Sequence, residues 1–150
     1  MRLSAVRVVF LAALSALSAL LLVGCGGGDA APEPDTEAMA QLTGSVAYRE
    51  RIALRMDSVI TVRLSDVSRM DVPAILLGEE TIEARGKSIP VPFTLIYDPS
   101  RIEQRNTYAV RAEIRDGNGK LLWTTDTMIP VLTRGAPSDG VDIMLVRTGG

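Results

Sequence analysis

Cys25 is the only thiol in 150 residues, and no histidine accompanies it. Without imidazole, a serine or cysteine nucleophile lacks its histidine base, and a metal site lacks histidine ligands. One cysteine permits no internal disulfide and no cysteine-rich zinc site. The other groups with chemical potential are few. Glu79, Glu80 and Glu83 could pair carboxylates for acid and base work, but acids on a wet strand face are common. Lys87 and Ser88 are neighbours, and neighbours on a strand point to opposite faces, which parts a base from its nucleophile. Asp116-Gly117-Asn118-Gly119-Lys120 opens like a calcium loop, yet it has no acid at the fifth position and no glutamate at the twelfth. A hairpin turn accounts for every one of these residues. No catalytic residue, metal site or cofactor is therefore expected. Arg49 and Arg51, flanking Glu50, remain as a candidate partner contact, since arginines often anchor interfaces.

What precedes Cys25 gives the thiol its meaning. Arg2 and Arg7 make a short positive start, and residues 8–23 are apolar or small apart from Ser15 and Ser18. Those residues would span about 24 Å as a helix, short of the roughly 30 Å hydrocarbon core. That is the pattern of a secretory signal peptide. A transmembrane helix ending in a cysteine and a conventional signal peptide with an incidental cysteine are the weaker readings. Leu22-Val23-Gly24-Cys25 resembles the bacterial lipobox. The resemblance implies alkylation of the Cys25 thiol with diacylglycerol and cleavage between Gly24 and Cys25, with Leu22, Val23 and Gly24 as the peptidase recognition residues. Two or three acyl chains hold a protein on a membrane far more firmly than one. Gly26 follows where an aspartate would resemble an inner-membrane retention signal, which points to the outer membrane, facing the periplasm.

Three segments result: a signal peptide over 1–24, a lipidated N-terminus and acidic linker over 25–40, and a folded domain over 41–150. The linker has three glycines in a row, Pro32, Pro34 and four acids. As a coil it reaches about 20 Å, and about 50 Å when stretched. The domain carries fourteen basic and fourteen acidic residues, and it lacks the basic surplus of a nucleic-acid binder.

The elements of residues 41–150 follow period two. Ile60, Val62 and Leu64 alternate with polar neighbours, as do Tyr108, Val110, Ala112 and Ile114. Leu42, Val46 and Tyr48 open the domain, and Val141, Ile143 and Leu145 close it. Ile89, Val91, Phe93, Leu95 and Tyr97 share a side opposite Pro90 and Pro92, as in an edge strand. Residues 74–84 make another strand, bulged near Gly78, and 120–127 one more. Asp116–Gly119 and Arg85–Lys87 are tight turns, residues 99–105 hold one helical turn, and 134–140 form a loop. Trp123, Tyr48, Tyr97 and Tyr108 belong to the core. About seven short strands without a long amphipathic helix predict a small antiparallel β-sandwich, with a partly closed β-barrel as the alternative.

Several of these segments together carry a family resemblance. "GSVAYRERIAL", "VITVRLSDVS", "VPFTLIYDPSRI", "YAVRAEIRD" and "PVLTRGAP" resemble the YbaY-like lipoproteins, grouped with the YscW-type pilotin lipoproteins of type III secretion. The resemblance covers residues 42–147. It implies a lipid-anchored β-sandwich without established catalytic residues, and it transfers only the lipobox cysteine, onto Cys25. The expected function is a non-enzymatic envelope lipoprotein that binds an envelope protein partner. The alternatives are a tethered module for a small molecule or peptidoglycan fragment, and a pilotin that chaperones a secretin.

Overall fold

Alternation builds eight strands among the described residues. The computed structural model describes residues 38–149. The signal peptide, Leu22, Val23, Gly24, Cys25 and most of the linker lie outside these residues. The strands are β1 (Ala40–Tyr48), β2 (Val59–Asp66), β3 (Ile75–Glu83), β4 (Val91–Tyr97), β5 (Tyr108–Arg115), β6 (Leu121–Thr124), β7 (Ile129–Val131) and β8 (Val141–Arg147). A 3-10 turn, Pro99–Arg101, is capped by the Asp98 carboxylate, which accepts from the Ser100 amide.

The order β3-β2-β5-β6-β8-β1-β4 wraps around one core, with β7 extending the β6 side of β5. Every pairing is antiparallel except β1 with β8. Two subsheets meet at a narrow link, where β6 and β8 pair only through Trp123 with Arg147 and Thr124 with Val146. Opposite that link β3 and β4 close without a backbone ladder. The Glu80 carboxylate on β3 accepts from the Thr94 amide at 2.6 Å. Pro92, two residues away on the same edge of β4, has no N–H to offer. The result lies between the expected sandwich and the expected partly closed barrel.

The inward faces are those the alternation predicts. Ile60, Val62, Leu64, Val110, Ile114 and Leu95 are fully buried. The bulge sits beside Gly78, where Leu77 is the extra residue between the Leu64–Gly78 and Ser65–Leu76 pairs. Gly78 is needed because a Cβ there would lie 2.6 Å from the Ile96 carbonyl oxygen. Gly44 is tighter still, with Val141 O 2.0 Å from the position its Cβ would take. The hairpin at Asp116–Gly119 closes by Asp116 N–H to Lys120 O and Gly119 N–H to Asp116 O. Arg85 and Gly86 both take positive φ in the turn after β3, closed by Lys87 N–H to Ala84 O at 2.7 Å.

Candidate binding site

At the C-terminal end of β1 the chain leaves the sheet over an aromatic floor. The Tyr48 ring stacks on Trp123 with centroids 4.5 Å apart and planes 15° from parallel. The Tyr48 hydroxyl donates to Ile52 O at 2.5 Å, and Leu54 plugs the core two residues later. Burial, helped by the nearby Glu50 charge, holds the Tyr48 phenol above its ordinary pKa, so the hydroxyl stays a donor. Glu50 turns inward and accepts from the Trp123 indole N–H at 3.4 Å. Arg49 and Arg51, on either side of it, are left exposed.

A groove of about 370 Å³ opens here, lined by Arg49, Arg51, Ile52, Lys87, Ser88 and Ile89 among others. Among the described residues, Arg49, Arg51 and Lys87 make no ion pair, while Arg55, Arg63, Arg85, Arg105 and Arg115 each do. Arg49 also lines a second groove, beside Met144, Val146 and Arg147. Unpaired cations beside exposed Ile52 suit a segment that presents carboxylates and aliphatic side chains together. Arg49 and Arg51 were thus placed together by sequence. Lys87 was singled out for a different chemistry, and only the fold carries it to the arginines.

The three glutamates do not assemble. Glu79 pairs with Arg63, Glu83 with Arg85, and Glu80 caps the Thr94 amide. Lys87 and Ser88 are both exposed in the loop before β4. One Asp116 carboxylate oxygen accepts from the Asn118 and Lys120 amides, 3.0 Å each, and so shapes the hairpin. Sequence reasoning did not find the cluster of Arg63, Glu79, Glu113 and Arg115. Arg63 bridges Glu79 and Glu113 across three strands, and Arg115 also holds Glu113. Arg115, then Arg63, hold the Glu113 carboxyl below its ordinary pKa against the opposing effect of burial.

A sheet rolled almost shut, with most of its strand carboxylates engaged in ion pairs and caps and Arg49, Arg51 and Lys87 brought together at one end, has the fold of a solved secretion pilotin. The structure of an alternative pilotin from the type II secretion system of Vibrio cholerae matches it with a TM-score of 0.71 and 41% sequence identity, over 75% of this chain and 99% of that one. The chain belongs to the family of type III secretion system lipoprotein chaperones (YscW), which it matches over residues 37–145. It is also similar to the uncharacterized lipoprotein YbaY of Escherichia coli (strain K12), 32% identical over 106 residues, which are 71% of this chain. That match spans only 55% of the relative's own length.

Proposed function

We propose that this protein is a lipid-anchored envelope chaperone of the pilotin kind, not an enzyme, and that its groove at Arg49, Arg51 and Lys87 holds a segment of an outer-membrane protein partner such as a secretin. The observation that carries the reading is three unpaired cations around exposed Ile52, built on a rigid aromatic floor, in a chain of a chaperone family. Cys25 carries the lipid after cleavage behind Leu22, Val23 and Gly24, and the domain faces the periplasm from the outer membrane. The small-molecule reading has less support. Tyr108, Leu42, Ile60, Leu95 and Ile143 fill the space between the sheets, and the grooves are open clefts at the surface.

The test is affinity capture from solubilised envelopes with the full chain and with a variant carrying Arg49→Glu and Arg51→Glu. The wild type should enrich an outer-membrane protein that the variant loses. Equal enrichment by a folded variant would place the partner elsewhere on the surface. Turnover of peptidoglycan, phospholipid or peptide by the purified chain, lost on replacing Glu79, Glu80 and Glu83, would overturn the non-enzymatic reading. Cells fed an alkyne fatty acid should label the wild type and not Cys25→Ser. Label retained by the serine variant would remove Cys25 as the anchor.

A further inference from the structure

The end of the barrel opposite the groove carries an apolar lip. Met70 is 90% exposed, Val72 50%, Ile75 51% and Leu76 48%. Four large apolar side chains held in water within seven residues are costly, at about 25 cal/mol per Å² of surface that a partner could cover. Met70 and Val72 lie in the turn between β2 and β3 and Ile75 and Leu76 open β3, and Val72 and Ile75 line a cleft with Arg69, Glu103, Arg105 and Asn106.

The position of this lip identifies its partner. The Leu76 carbonyl accepts from Arg101, just beyond the end of β4. Tyr97, the last residue of β4, pairs with Ala40, the first of β1. The lip therefore lies where the chain enters the domain from its N-terminal side, and exposed Met39 stands at the same end. Twelve residues, 26–37, separate Cys25 from the described structure, and they can reach at most about 40 Å. The groove of Arg49 and Arg51 begins at the far end of β1, about 26 Å away at the rise of a strand.

We infer that the lip of Met70, Val72, Ile75 and Leu76 docks on the phospholipid bilayer that holds the lipid anchor, and so turns the Arg49–Arg51 groove away from the membrane. The inference rests on the lipidation of Cys25. Tethering keeps the lip close to lipid, so a weak apolar contact suffices to orient the domain. Arg69 and Arg101 sit beside the lip and reach lipid phosphates. The acids Asp66, Asp98 and Glu103 are already engaged, by Ser68 and Asn106, by Ser100, and by Arg105, while exposed Asp71, between Met70 and Val72, makes no ion pair and offsets one of the two arginines. Apolar insertion supplies the contact, because this end has no surplus of positive charge.

Lipidation of Cys25 leaves the chain without a free thiol, which makes the test direct. The full-length lipoprotein carrying Met70→Cys is labelled with a polarity-sensitive thiol dye and reconstituted into vesicles of phosphatidylethanolamine and phosphatidylglycerol. Ser88→Cys, at the groove end, is the control. A blue shift at position 70 and none at 88 is expected, and adding Val72→Asp and Ile75→Asp to Met70→Cys should abolish it. No shift at 70, equal shifts at both positions, or a shift that survives the aspartates would overturn the docking. A shift that follows protein density rather than lipid would overturn it in favour of contact between copies. Dye uptake by the wild-type chain would show Cys25 free, which removes the anchor and the docking with it. An unlabelled wild type with no shift at 70 removes the docking alone.

Discussion

Tyr48 and Trp123 stack 4.5 Å apart over the end of β8, and so join the end of β1 to β6 beneath the candidate groove. The same two side chains fix the loop above them. The Tyr48 hydroxyl holds Ile52 O, and the Trp123 indole holds Glu50. Stability and site geometry therefore depend on one pair of rings.

Trp123→Ala should cost about 3–5 kcal/mol, as removal of a large buried aromatic does. Urea unfolding followed by circular dichroism measures it. Tyr48→Phe keeps the stack and removes only the bond to Ile52, at a cost of about 1 kcal/mol. Its partner capture should fall by more than that cost in global stability explains, because the loop bearing Arg49 and Arg51 loses its tie. A Tyr48→Phe chain with wild-type capture would separate the loop from the site.

Arg49→Glu with Arg51→Glu should weaken capture strongly while changing stability by no more than about 0.5 kcal/mol, since both side chains are exposed and unpaired. Thermal unfolding beside the capture measurement separates lost binding from lost fold. A fall in melting temperature of many degrees would mean that the arginines hold the domain together.

Gly44→Ala should destabilise the domain by at least the roughly 1–3 kcal/mol of ordinary overpacking. The added methyl meets the Val141 carbonyl and the Phe93 ring, and a backbone neighbour cannot swing aside. Gly119→Ala meets nothing within 4 Å, although its positive φ adds strain. It should therefore cost less than Gly44→Ala, and unfolding curves that reverse this order would contradict the close approach of β1 and β8.

Acid should expose the Glu113 pairing. Arg115 and Arg63 depress its folded pKa, so the unfolded chain takes up the proton first as pH falls. The stabilisation is fully present above the ordinary carboxylate value of about 4.3 and is lost below it, down through the depressed folded value. Glu113→Gln should flatten the stability profile in that window. A variant whose acid profile matched the wild type would mean that the arginines do not stabilise the charged form.

The inward faces were legible because alternation acts locally. Ile60, Val62 and Leu64, or Val141, Ile143 and Leu145, declare a buried side without any knowledge of their neighbours. Four things were not legible. β7 is only Ile129-Pro130-Val131, and a proline in three residues reads as loop until Ala109 pairs with it. The closing role of Glu80 depends on which neighbour β3 meets across the seam, and that neighbour, β4, is set by the whole strand order. Lys87 joins Arg49 and Arg51 only because the turn after β3 ends beside the loop after β1. The lip hid as well: Met70 and Val72 fall between the expected strands and Ile75 and Leu76 read as part of one, and exposure is a property of the surroundings.

The parallel pairing of β1 with β8 also bears on the timing of assembly. The Ser45 hydroxyl donates to Asp142, 97 residues further on, and Gly44 lies against Val141. A polypeptide delivered N-terminus first, from a ribosome or through an export channel, releases its first strand long before its last. Until β8 emerges, β1 has β4 on one side and nothing on the other, and the core face of Leu42, Val46 and Tyr48 stays half-clothed. Contacts so distant in sequence form slowly. The domain is thus kept from locking prematurely by the order of its own strands, and a chain cut short before Val141 would leave the first strand with an open edge ready to join another molecule.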